Sequence, residues 1–150
     1  MVSSTRSSGG WRDDAARRAG ATANFRPEIL AEVGLFADLT TAELIGLAGL
    51  MRPRAYARDE VIYRRGDSGT AMYVIADGRV KLALISPDGN EIVLRRLEQG
   101  ESLLLDDQPR SADAIATEPS VLLVLRRDAF RRFLADHPSA ASKLLRTVGY

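Results

Sequence analysis

The sequence predicts a mainly β domain of the jelly-roll type, a double-stranded β-helix flanked by short N- and C-terminal α-helices. Three observations predict it. Glycines recur at positions 66, 78, 89 and 100, at intervals of 12, 11 and 11 residues. The stretches between them are β-rich, and short strands spaced about 8–12 residues apart with turn signals mark sandwiches, barrels and jelly rolls. On both sides of this region the apolar residues fall instead at the i, i+3, i+4 spacing of helices.

The elements follow in chain order. Residues 1–24 are rich in Ser, Ala, Gly and Arg, with Trp11 as their only aromatic group. Such a stretch cannot bury enough apolar surface to offset its ordering entropy, so it reads as a disordered tail before a domain spanning 25–150. Pro27 to Val33 can form a short helix that ends at Gly34. Thr40-Thr41-Ala42-Glu43 has the spacing of a capping box. Leu44, Leu47, Ala48 and Met51 then share one helical face until Pro53 stops the pattern. Strands are expected at Val61–Tyr63, Met72–Ile75, Val80–Ile85, Ile92–Leu94, Ala112–Ala116 and Val121–Leu125. Asp77-Gly78 and Pro87-Asp88-Gly89-Asn90 read as hairpin turns, because glycine tolerates the positive φ that tight turns demand. Asp128 can cap a helix carrying Phe130, Phe133 and Leu134. His137-Pro138 breaks it, and a second helix with Ala141, Leu144, Leu145 and Val148 on one side begins there.

Composition narrows the chemistry. A chain of 150 residues with 45% apolar content is one domain able to bury a core unaided. The absence of cysteine removes disulfides, thiolate catalysis, Cys-ligated zinc and iron–sulfur clusters. A single histidine, His137, leaves neither a His-based metal site nor a Ser-His-Asp triad, so no metal and no enzyme activity are expected. A net charge of +1 is too balanced for a dedicated nucleic-acid binder. No apolar run approaches the ~18 residues that cross a bilayer. A cytoplasmic binding module is the class that remains. Of its 21 basic residues only Lys81 and Lys143 are lysines. Arginine's planar fork suits phosphate and carboxylate better than a lysine point charge does.

Four sets of residues in unbroken order resemble the cyclic nucleotide-binding domain, and the resemblance covers roughly Ala31 to Tyr150. They are Arg65-Gly66-Asp67-x-Gly69-x-x-Met72-Tyr73-x-Ile75-x-x-Gly78-x-Val80, Asp88-Gly89-x-Glu91, Gln108-Pro109-Arg110-Ser111-Ala112 and Arg127-x-x-Phe130-x-x-Phe133-Leu134-x-x-His137-Pro138. Within that family the chain is most similar to bacterial Crp/Fnr-type transcription regulators. The resemblance implies an eight-stranded β roll that holds cAMP or cGMP against a phosphate-binding cassette. It implies that Arg110 meets the cyclic phosphate, that the Ser111 hydroxyl donates to the same group and that Ala112 closes the motif. A guanidinium fork can grip a phosphodiester monoanion with two charge-assisted hydrogen bonds.

The cassette departs from the family pattern. Between Leu97 and Arg110 the chain is about four residues short, up to ~13 Å of extended reach. Counted back from Arg110, Gly100 and Glu101 stand where the ligand-binding Gly-Glu belongs, its carboxylate accepting from the ribose 2′-hydroxyl. Counted forward from Leu97, they match an earlier Gly-Glu or Gly-Asp, and the ligand glutamate is gone. Leu103, Leu104 and Leu105 could partly fill the space of a missing Phe, while Asp106 and Asp107 read as an exposed turn.

The functional expectation is a ligand-sensing domain that relays cyclic-nucleotide binding through its C-terminal helix. A homodimer paired through the start of that helix, 138–150, is the partner expected, with no membrane and no DNA-binding element within this chain. The alternative is a degenerate member that has lost nucleotide binding and serves as an interaction or dimerisation module.

Overall fold

The computed structural model describes residue 30, residues 33–103 and residues 109–147, with the backbone alone for 145–147. The expected tail, most of the expected helix at Pro27–Val33, Leu104 to Asp107 and the side chains of Leu145 and Val148 lie outside the described residues.

A 3-10 turn at Gly34–Phe36 leads to helix α1, Thr41–Ala48. Thr40 caps α1 as the spacing predicts: its hydroxyl accepts from the Glu43 N–H at 3.2 Å, and Glu43 Oε1 accepts from the Thr40 N–H at 2.8 Å. Eight strands follow: β1 Arg52–Tyr56, β2 Val61–Tyr63, β3 Ala71–Asp77, β4 Arg79–Ile85, β5 Glu91–Glu98, β6 Ser102–Leu103, β7 Asp113–Ala116 and β8 Ser120–Arg126. Helices α2, Arg127–Asp136, and α3, Pro138–Thr147, complete the order.

The strands form two four-stranded antiparallel sheets, β1-β8-β3-β6 and β2-β7-β4-β5. Period-two alternation sorts β3 and β8 between two cores. Met72, Val74, Leu123 and Leu125 face the helices, joining Phe36, Leu44, Leu47, Met51, Phe133, Ala140 and Leu144. Ile75 and Leu122 face the second sheet, where they meet Tyr56, Val80, Leu97, Leu103, Ala114 and Ala116. Coverage on both faces is why β8 reads as a continuous apolar run rather than an alternating one.

All six expected strands form, and two others do not announce themselves in the sequence. β1 carries Arg52, Pro53 and Arg54, and it tolerates Pro53 because it is an edge strand paired only with β8. β6 is two residues long.

Two turn and cap readings need correction. Asp77-Gly78 closes no hairpin: β3 pairs with β8 and β6, whereas β4 pairs with β5 and β7, so the turn carries the chain from one sheet to the other. The hairpin at Pro87–Asn90 does join β4 to β5. Asp128 is not the cap of α2, because β8 runs directly into the helix through Arg126, which makes no side-chain cap bond. Asp128 sits instead in the first turn, where its charge complements the helix N-terminus, and it pairs with Arg126 Nε at 3.6 Å. The α2–α3 break at His137-Pro138 forms as expected, with the His137 ring stacked on Phe133 at 4.4 Å between centroids.

Candidate ligand site at the rim of the roll

The Arg65-Gly66-Asp67 motif builds the seat of Arg110. Gly66 takes φ +91°, a conformation costly to residues with a Cβ, and its N–H donates to the Arg110 carbonyl at 2.8 Å. The Arg110 N–H donates in turn to the Asp67 carbonyl at 2.8 Å. Asp67 Oδ2 holds the turn by accepting from the Arg64 N–H at 2.9 Å, and buried Asp113 Oδ1 accepts from the Arg65 N–H at 2.6 Å. The motif between β2 and β3 is therefore a backbone lock on the segment that carries Arg110.

Arg110 is 9% exposed, and its side chain reaches residues of two strands. Its Nη2 donates to the Ala71 carbonyl at the start of β3, and its guanidinium carbon lies 4.2 Å from the ring centroid of Tyr63 at the end of β2. Tyr63 leans on Tyr73 of β3, with centroids 6.0 Å apart and rings tilted by 42°. Burial pushes the Tyr63 phenol above its ordinary value, and the Arg110 charge opposes that shift. Ser111 beside this cluster is exposed, whereas Ala112 is buried and leads into β7.

Gly100 and Glu101 occupy a different place. Gly100, at φ +90°, is the corner of the turn from β5 to β6, closed by the Glu101 N–H donating to the Glu98 carbonyl at 3.0 Å. The same pair brackets Ile75: Gly100 N–H donates to its carbonyl, and its N–H donates to the Glu101 carbonyl, both at 2.9 Å. The Glu101 carboxylate accepts from the Glu98 N–H and from Arg95 Nη2, each at 3.1 Å. Ile75 and Ala71 are four residues apart on β3, about 13 Å at strand rise. The structure thus gathers Arg110, Ser111 and Ala112 at one level of β3 and anchors Gly100 and Glu101 at another.

A groove of about 540 Å³ lies on the Glu101 side, lined by Arg79, Arg96, Glu98 and Glu118 among others. None of Arg110, Ser111 and Ala112 lines it. Its walls mix both signs of charge. Leu103 is buried in the inter-sheet core.

Sequence reasoning passed over Tyr63 at the site and Tyr56 in the inter-sheet core. Tyr63 carried a weak signal, an aromatic three residues before Gly66 on an expected strand. Tyr56 carried none. Its buried hydroxyl has no hydrogen-bond partner among the described residues, and burial pushes the phenol up to about 12. Among the described residues no group of three or more His, Cys, Asp or Glu side chains is placed to hold a metal, and no helix is long and apolar enough to cross a membrane.

A family model described as the cyclic nucleotide-binding domain matches residues 53–137. The CRP-like cAMP-activated global transcriptional regulator of Mycobacterium tuberculosis is 30% identical over 125 residues, covering 81% of this chain and 56% of that protein. Among solved structures, the N-terminal domain of a transcriptional regulator from Streptomyces coelicolor A3(2) superposes with a TM-score of 0.74 at 33% identity. That match covers 80% of this chain and 87% of that one. The catabolite activator protein of Thermus thermophilus follows with a TM-score of 0.66 at 32% identity, over 77% of this chain and 56% of that one. The chain spans about half the length of the curated bacterial regulators it matches.

Proposed function

The chain belongs to the cyclic nucleotide-binding domain family, as a sensor domain of the Crp/Fnr type, and from that premise we propose that it binds cAMP or cGMP at the Arg110 rim of the roll. The observation that carries this reading is the buried guanidinium of Arg110, held between the Tyr63 ring and the Ala71 carbonyl. A cyclic phosphodiester is a compact monoanion, and a pre-oriented guanidinium meets it with charge-assisted hydrogen bonds in a partly desolvated setting. The exposed Ser111 hydroxyl stands next in the chain as a further donor.

Of the two registrations of the shortened cassette, the geometry supports the one counted forward from Leu97. Glu101 is committed to Arg95 and to the Glu98 N–H, about 13 Å along β3 from the Arg110 contact. In this reading Glu101 latches the β5–β6 turn, and affinity rests on the phosphate end. Ligand binding tightens the roll and shifts the docking of α3, the relay to a partner or to a second copy paired through that helix.

Isothermal titration tests the reading. Either nucleotide is expected to bind with micromolar or tighter affinity. Arg110→Ala is expected to weaken binding by ~1.5–3 kcal/mol, Arg110→Lys to recover part of it, and Glu101→Gln to leave it unchanged. No heat with either nucleotide at millimolar concentration sinks it. Burial of Leu103 in the inter-sheet core favours the competing reading, an interaction module without nucleotide, and that result would select it.

A further inference from the structure

We propose that Tyr63 is a positioning residue for ligand recognition: its ring face fixes the plane of the Arg110 fork. The inference rests on the nucleotide-binding reading above and deepens it.

Among the described residues, contacts from three elements hold Arg110. The Gly66-Asp67 turn fixes its backbone through a reciprocal pair of hydrogen bonds. The Ala71 carbonyl of β3 takes the edge of the guanidinium, and Tyr63 of β2 takes its face at 4.2 Å. That separation is well inside the ~6 Å range of a cation–π contact, which strengthens where water is excluded. A carbonyl that accepts one N–H does not by itself set the rotation of the donor's plane about that bond. A ring against its face restrains that rotation, so the plane that carries the donors is oriented before an anion arrives. Pre-payment of this ordering is what separates a tight anion site from a loose one of equal charge.

Tyr63 is itself held. Its backbone pairs with Ala114 of β7, two residues beyond Ala112, and its ring is braced by Tyr73. The site is thereby built from β2, β3 and the strand that follows the cassette. It does not depend on the hydroxyl of Tyr63, only on its ring.

Tyr63→Phe and Tyr63→Leu separate the two properties, with the full chain titrated against cAMP and cGMP. Tyr63→Phe is expected to bind within about threefold of the unsubstituted chain, and Tyr63→Leu about tenfold more weakly. In an Arg110→Gln background Tyr63→Leu is expected to add no further loss, a coupling that a general loosening of the roll would not produce. Equal affinity of the Tyr63→Leu and unsubstituted chains overturns the inference and leaves nucleotide binding standing. A ligand-free readout stands beside the titration: the Arg110 Nε–H proton resonance, shifted by the ring current of Tyr63, is expected to move on Tyr63→Leu and to stay on Tyr63→Phe. If the unsubstituted chain takes up neither nucleotide, the underlying reading fails and the inference about recognition falls with it. An immobile Arg110 resonance in Tyr63→Leu shows instead that the clamp itself is absent.

Discussion

At Gly78 the backbone takes φ +108°, and a Cβ there would lie 2.1 Å from Ser120 Oγ and 2.7 Å from Ser120 Cα. Ser120 is fully buried under the crossing from β3 to β4. Its hydroxyl accepts from the Arg79 N–H at 3.1 Å and donates toward the Glu118 carbonyl at 2.8 Å. The nearest atoms include backbone, so a side chain at Gly78 cannot be accommodated by a rotamer change. Gly78→Ala is expected to cost about 2–4 kcal/mol, the left-handed conformation and the overpacking acting together. Gly89→Ala, also at positive φ but with nothing within 4 Å of the added Cβ, is expected to cost about 1 kcal/mol. Urea unfolding of the two variants checks the difference, and equal losses would refute the crowding account. The sequence shows Gly78 as a turn residue, since the Asp-Gly pair and the glycine spacing are local. That the turn changes sheets and packs on Ser120 follows from long-range strand pairing, and no local pattern reports it.

An ion pair links helix α1 to helix α3, which share one apolar core. Lys143 Nζ donates to Glu43 Oε1 at 2.9 Å, the same oxygen that accepts from the Thr40 N–H of the capping box. The bond from Lys143, then the one from Thr40, holds the Glu43 carboxyl below its ordinary value of 4.5 despite its burial. A depressed folded-state value means that the contribution is present above the unfolded value and is lost as pH falls through the folded one. The urea midpoint is therefore expected to fall more steeply below pH 4.5 in the unsubstituted chain than in Glu43→Gln. Parallel pH profiles would show that the pair contributes nothing. Lys143→Met at neutral pH is expected to lose about 1–2 kcal/mol, since it leaves a buried charge with fewer donors. Here too one half was readable and one was not. Thr40 and Glu43 stand three apart and spell their own cap, whereas a contact spanning 100 residues has no sequence signature.

Across the whole molecule, what was legible follows the range of the interactions. Turn glycines, alternating apolar residues and the order of the family motifs placed six strands and the flanking helices, whereas the division into two cores emerges only from the strand pairing. β1 stayed hidden because an edge strand needs little apolar surface, and Pro53 points the other way. Arg110 was legible as a candidate from its motif, while its seat on the Gly66-Asp67 turn was not. The placement of Glu101 beside Ile75 was not, because it follows from the pairing of β6 with β3, which no local pattern reports. The same reasoning bears on the relay. The first sheet stands between the inter-sheet core, which the ligand would tighten, and the core that seats α3. A shift of β3 or β8 is then felt on both faces, because close-packed interiors transmit displacement. Ala140 is fully buried where α3 enters the outer core, so Ala140→Leu is expected to push that helix outward at about 1–3 kcal/mol. Linkage is reciprocal: if nucleotide alters the docking of α3, then altered docking must change nucleotide affinity, by about 5–150-fold for couplings of ordinary size. Calorimetric titration of Ala140→Leu, at a temperature where circular dichroism shows it folded, measures that change. Affinity within twofold of the unsubstituted chain would sever α3 from the ligand site and locate the relay elsewhere in the fold.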